Sequence, residues 1–138
     1  MMPFQWNQFM ATGIPAIDKQ HKDIFQRINE FINAIMNENE QENIETLLNF
    51  LIAHATTMFG DEEKMLKEKN YPDFAVHKAQ HEYFIRTIEA LKRDFESGIP
   101  MDKLTADIHQ RVCNWLTIHL SKTDMQWVAF LKTSTPAS

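Results

Sequence analysis

Six side chains able to bind a metal stand where apolar ones are expected: His21, Glu62, His77, His81, His119 and Asp124. His21 lies three and four residues before Ile24 and Phe25, and Glu62 lies three after Phe59 and four before Leu66. His77 and His81 fill the slots between Phe74 and the pair Phe84 and Ile85, while His119 and Asp124 fall among Leu116, Leu120 and Trp127. An unpaired carboxylate in such a position costs several kcal/mol, and a buried imidazole also needs a partner. His77 and His81 are four apart, so on a helix they share a face and can hold one ion. Two carboxylates among several histidines suit iron better than thiolate-seeking metals. The neighbouring Asp61 and Glu63 read as a solvated acidic pair.

Those residues need rigid elements to bring them together, and the apolar spacing supplies four helices. Ile24, Phe25, Ile28, Phe31, Ile32 and Ile35 recur at intervals of three and four, behind Asp18 as a helix cap. The polar stretch from Asn37 to Asn43 breaks that pattern. A second stripe runs through Ile44, Leu47, Leu48, Leu51, Ala55, Phe59 and Leu66 and ends near Asn70, before Pro72. Asp73 caps a third, with Phe74, Phe84, Ile85, Ile88, Leu91 and Phe95, which Gly98 stops. The fourth follows Pro100 and carries Leu104, Ile108, Val112, Trp115, Leu116, Leu120, Trp127 and Phe130. Residues 1–17, with Pro3, Gly13 and Pro15, read as an irregular arm pinned across the bundle by Phe4, Trp6 and Phe9. Residues 18–133 form the bundle and 134–138 a polar tail. Helices joined by short links imply an all-α, up-down-up-down antiparallel four-helix bundle in one domain.

Depth then turns spacing into a site. In an antiparallel bundle the starts of the first and third helices lie level with the ends of the second and fourth. His21, His77 and His81 come within about two turns of their helix starts, at ~3.6 residues per turn. Glu62 and Asp124 come about two turns before their helix ends, with His119 somewhat deeper. All six therefore converge at one end of the bundle, and such convergence means a metal.

Composition narrows the alternatives. Lys and Arg (14) are scattered among Asp and Glu (19), for a formal charge of -5, which is no nucleic-acid footprint. The apolar runs are too short to span a bilayer, and the N-terminus has no basic stretch leading into an apolar one. A cytoplasmic monomer with no membrane or nucleic-acid partner is expected. Cys113, the only cysteine, rules out an intrachain disulfide and reads as a small buried residue. Three glycines in the whole chain, with abundant Ile, Leu, Met, Glu and Lys, favour helix over sheet.

The stretches FQWNQFMATGIPAIDKQHKDIF, MFGDEEKMLKEKNYPDFAVHKAQHEYF and WLTIHLSKTD resemble the bacterial hemerythrins, over nearly the whole chain. The resemblance implies a di-iron pair bridged by two carboxylates and an oxo or hydroxo group, with dioxygen binding reversibly at one iron. Carried over, His77, His81 and His119 would bind the first iron, Glu62 and Asp124 would bridge, and His21 would bind the second. One position departs. The family pattern His-Phe-x-x-Glu-Glu reads here Met58-Phe59-Gly60-Asp61-Glu62-Glu63, so Met58 stands where the second iron's other histidine is expected. A thioether is a soft, weak ligand for ferric iron, so Met58 is expected to fill core volume and leave that iron an open position. His54 does not replace the missing ligand, since it lies about 12 Å from Glu62 along the axis at ~1.5 Å per residue and leans further away. His109 is more remote still. Trp127 falls where the family often has tyrosine, one turn after the aspartate, and is expected to pack over the site.

The expected function is dioxygen binding without turnover, for carriage, storage or sensing, in a dry pocket lined by Phe25, Phe59, Trp115 and Trp127. The open position at Met58 supports a rival reading, a di-iron redox enzyme handling peroxide or nitric oxide. An iron store or a mononuclear variant is the third.

Overall fold

The structure, a computed structural model, describes residues 5–37 and 40–134. Among them it is all helix, with no strand, arranged as a four-helix bundle. Helix α1 is Pro15–Asn37, α2 is Glu40–Glu68 and α3 is Phe74–Glu96. The fourth, α4, is one rod of five pieces: Met101–Ile108, a π turn His109–Cys113, Asn114–Ile118, a second π turn His119–Thr123, and Asp124–Ser134. Residues at the joints keep right-handed helical dihedrals, so the rod continues through both turns. None of these helices is long and apolar enough to cross a membrane.

The start of α1 differs from the sequence expectation. Asp18 is not the cap: the helix begins three residues earlier, at Pro15. Proline is suited to a first helical position, because its φ is already helical and its missing N–H would have had no partner. Asp18 instead reaches back, where Oδ1 accepts from the Thr12 backbone N–H at 2.9 Å and from its hydroxyl at 2.8 Å. Thr12 Oγ1 in turn accepts from the Ile14 N–H at 3.1 Å. This network ties down the arm, with Met10 buried in the core beside it. Phe9 pins nothing, being 84% exposed, and Trp6 is half-buried under the Lys22 ammonium, 4.4 Å above its ring. Phe4 lies outside the described residues.

Helix ends follow local chemistry. Asn70, in left-handed backbone (φ 57°), closes α2: its N–H bonds to Lys67 O, and the Tyr71 N–H bonds to Leu66 O at 3.0 Å. Gly98 (φ 85°) closes α3 in the same way, with the Ile99 N–H on Asp94 O. Asp73 does precede α3, but its side chain makes no capping bond. The polar break between α1 and α2 is narrower than the stretch from Asn37 to Asn43, since α2 already begins at Glu40. Glutamates are good helix formers and are favoured in a first turn by the helix dipole.

The core splits into two apolar layers. The larger holds Ile24, Phe25, Met58, Phe59, Phe84, Leu116 and Leu120 at its near edge. The smaller holds Ile17, Leu66, Tyr71, Trp127 and Val128. Along every helix the predicted polar residues fall between them: His21 between Ile17 and Ile24, Glu62 between Phe59 and Leu66, His77 and His81 before Phe84, and Asp124 before Trp127. Early residues of α1 and α3 thus meet late residues of α2 and α4, which requires antiparallel neighbours.

Candidate metal centre

Each helix delivers its polar residues to this layer. His77 and His81 sit one turn apart on α3 and project together, their ring centroids 4.5 Å apart. His119 and Asp124 are five apart, which on a regular α-helix would point them about 140° from each other. The π turn His119–Thr123 closes an i→i+5 bond and restores a common face, with Asp124 Oδ1 3.1 Å from His119 Nε2.

All six residues are buried, with His21 and Asp124 0% exposed. Their atoms divide into two sides. Glu62 Oε1 lies 2.7 Å from His77 Nε2 and 3.5 Å from His81 Nε2. Asp124 Oδ1 lies 3.2 Å from His77 Nε2, and the His81 and His119 Nε2 atoms are 3.1 Å apart. One ligand atom from each of Glu62, His77, His81, His119 and Asp124 falls within 4.8 Å of all the others. The second oxygens face the other way: Glu62 Oε2 and Asp124 Oδ2 stand 3.5 and 3.9 Å from His21 Nε2.

Charge in the layer is mutually held. Burial alone would raise the Glu62 pKa, but the His21, His77 and His81 imidazoles around it hold the carboxyl well below its usual 4.5. Burial alone would lower the His77 pKa, yet its bonds to Asp124 and Glu62 and their charges lift it from 6.5 to about 9. His21 and His81 are likewise lifted against burial by the carboxylates. His119 goes the other way, burial holding it below 6.5.

The chemistry of this set fits a metal cation. Imidazole lone pairs and carboxylate oxygens aim at common points, and His21 Nε2 and Asp124 Oδ2 are buried with no hydrogen-bond partner within the protein. Such unpartnered polar atoms are rare in a folded interior and call for an ion or equivalent partner. Aromatic rings wall the group. Phe59 stacks face to face on His81, centroids 3.9 Å apart and planes at 4°, and Trp115 stacks on His119 at 4.4 Å and 11°.

Residues 12–131 match the family model for the hemerythrin HHE cation binding domain. The chain belongs to the hemerythrin family. Its relatives include a bacteriohemerythrin of Methylococcus capsulatus, 29% identical over 83% of this chain and 85% of that one. A myohemerythrin of Theromyzon tessulatum is 29% identical over 91% of each chain. A bacteriohemerythrin of Pseudomonas aeruginosa is 29% identical over 89% of this chain and 78% of that one. This hemerythrin-family chain is thus a non-haem iron-binding protein whose buried His/Glu/Asp cluster fits a metal site.

The structure also places what the sequence reading set aside or missed. Met58 is buried in the larger apolar layer, one turn before Glu62. His54 bonds instead to the Gln20 carbonyl at 3.3 Å and packs on Phe50, away from the cluster. His109 is half-buried in the first π turn, outside it. Glu63 is a correction: rather than being solvated, it is half-buried, with Oε2 accepting from His81 Nδ1 at 2.8 Å. That bond fixes the His81 tautomer and turns its Nε2 toward the cluster. Asp61 is exposed as expected and accepts from the Gln20 amide at 2.9 Å. Trp127 does more than pack, since its indole N–H donates to Glu62 Oε1 at 3.2 Å and to Asp124 Oδ1 at 3.1 Å. The signal for Glu63 was its place one residue beyond Glu62, on the flank facing α3. For Trp127 it was a polar N–H at a fully buried position. Cys113 is a buried core residue, its thiol pushed up to about 12 by burial.

Proposed function

We propose that this protein holds a pair of non-haem iron ions and binds dioxygen reversibly, as a carrier, store or sensor. The observation that carries the reading is the division of the carboxylates: Oε1 and Oδ1 face three imidazoles while Oε2 and Oδ2 face His21. On this reading His77, His81 and His119 hold one iron, His21 the other, and Glu62 and Asp124 bridge them. The iron pair, when bound, supplies the electrons that make dioxygen binding reversible. The chain's own residues hold and shield it. Phe59 and Trp115 cover the imidazole rings and keep bulk water from them. Glu63 holds the His81 Nδ1 proton, and His77 must give up its Nε2 proton when the ion arrives.

A specific observation favours a second reading, a redox enzyme or a mononuclear site. Among the described residues His21 is the one imidazole facing Oε2 and Oδ2, and buried Met58 occupies the neighbouring turn of α2. A position with fewer hard ligands exchanges more easily. Anaerobic reconstitution with ferrous iron followed by dioxygen exposure separates the readings. Two irons per chain and a spectrum that reverses under vacuum support dioxygen binding. Two irons with prompt, irreversible oxidation support the enzyme, and one iron supports the mononuclear site.

A further inference from the structure

The indole of Trp127 carries one hydrogen and two acceptors, Glu62 Oε1 at 3.2 Å and Asp124 Oδ1 at 3.1 Å. An indole nitrogen only donates, so both oxygens must turn a lone pair toward it. Trp127 is 0% exposed and packs with Ile17, Leu66, Tyr71 and Val128, which denies it water and holds its ring in place. The two oxygens it engages are the ones facing the three-histidine side. The opposite oxygens face His21, and Asp124 Oδ2 accepts no hydrogen bond within the protein. Two carboxylates this close repel, and one fixed N–H dipole shared between them in a dry interior offsets part of that repulsion.

We propose that Trp127 is a positioning residue for the metal centre: its N–H sets both carboxylates in one orientation before any ion arrives and keeps the two sides of the centre unequal. This rests on the metal reading above. A hydrogen bond to a ligating oxygen draws electron density from it, so the three-histidine position has a preset cage of slightly weakened oxygen donors. The His21 position has unencumbered oxygens and fewer nitrogens. Removing the N–H lets both carboxylates rotate, and loss of an outer hydrogen-bond partner of this kind weakens metal affinity about 10- to 100-fold.

The test uses the full chain, cobalt(II) as an affinity probe and zinc(II) for magnetic resonance. Trp127→Phe should bind cobalt at least about tenfold more weakly than the unmodified protein. Val128→Ala, which trims the same apolar layer and leaves the N–H, should lower Tm but keep cobalt affinity within about twofold. In the unmodified, metal-free protein the Trp127 indole proton should resonate downfield, exchange slowly and shift when zinc is added. Equal cobalt affinity in Trp127→Phe, an equal loss in Val128→Ala, or an indole proton that exchanges freely and ignores zinc would each overturn the proposal. If Trp127→Phe fails to fold, the indole resonance decides alone. If the unmodified protein binds neither cobalt nor zinc, the metal reading itself fails, and slow exchange of the downfield indole proton then separately decides the carboxylate-positioning role.

Discussion

Raising the pH should weaken the fold of the metal-free protein and strengthen its hold on metal, and His77 sets the window. Its pKa is lifted from 6.5 to about 9 because bonds to Asp124 and Glu62 outweigh the opposing effect of burial. A histidine raised in this way contributes stability that is fully present below pH 6.5 and lost as the pH climbs through about 9. At about 1.36 kcal/mol per unit, the span is worth about 3 kcal/mol. His21 and His81 are shifted the same way and add to the loss. Neither Glu62 nor His119 opposes it in that window. Glu62 is held well below 4.5, so its contribution is lost only in acid, and the neutral state of buried His119 is challenged only below 6.5. Metal binding runs in the opposite direction, because each ligand proton must leave first. For His77 alone, apparent affinity should rise about tenfold per pH unit up to about 9, whereas an ordinary imidazole would stop competing near 6.5. Urea unfolding of chelator-treated protein at several pH values between 6 and 9.5, beside zinc competition titrations at the same values, measures both slopes. Apo stability that is level or rising across the window, or zinc affinity that levels off at pH 6.5, would refute the assigned role of the His77–Glu62–Asp124 contacts.

Other substitutions test the remaining parts. Glu62→Ala and Asp124→Ala should each abolish a paired centre while helix content by circular dichroism stays near that of the parent, because the two apolar layers supply most of the burial; two coupled irons in either variant would disprove bridging. Met58→His should raise iron stoichiometry or lengthen the life of the oxygenated form, and identical values in parent and variant would remove Met58 from the account. Glu63→Ala, by releasing the His81 ring, should weaken zinc affinity about 10- to 100-fold without changing stoichiometry, as read by competition titration.

The bundle was readable because helical period and burial agree. From Ile24 to Ile35 and from Ile44 to Phe59, spacing of three and four put the same residues on one face, and those faces form the larger apolar layer or its border, while Leu66, beyond Glu62, joins the smaller one. The errors came where a residue's local meaning depends on its neighbours. Pro15 reads as a breaker in isolation, yet at a first helical position it is favourable, so α1 reached into the supposed arm. Asp18 has the chemistry of a cap but sits inside the first turn, where its carboxylate serves Thr12 instead. Phe9, large and apolar, was expected to pack, but its arm follows Met10 and the Thr12 network and leaves the ring in solvent.

The six polar residues were readable for a related reason: a histidine or carboxylate inside an apolar stripe must find a partner, and four helices at one depth can offer only each other. Partners outside the stripes gave no such signal. Glu63 looks like the second half of an acidic run until the α3 register places His81 beside it. Trp127 looks like core until the direction of its single N–H is known. His119 and Asp124 hold a further lesson. Regular helix geometry sets residues five apart on different faces, so their joint presence in a buried layer is inconsistent with an unbroken α-helix. The inconsistency itself demands one extra residue in the intervening turn, and the π turn His119–Thr123 supplies it. Deleting one residue from that turn, Ser121 for instance, would leave four-residue spacing on a regular helix. Winding all five residues as regular α-helix, by contrast, would rotate everything beyond, including Trp127 and Val128, by about 100° relative to the first part of α4. The irregular turn thus keeps the carboxylate facing its histidines and the second apolar layer facing the core, although five residues separate His119 from Asp124.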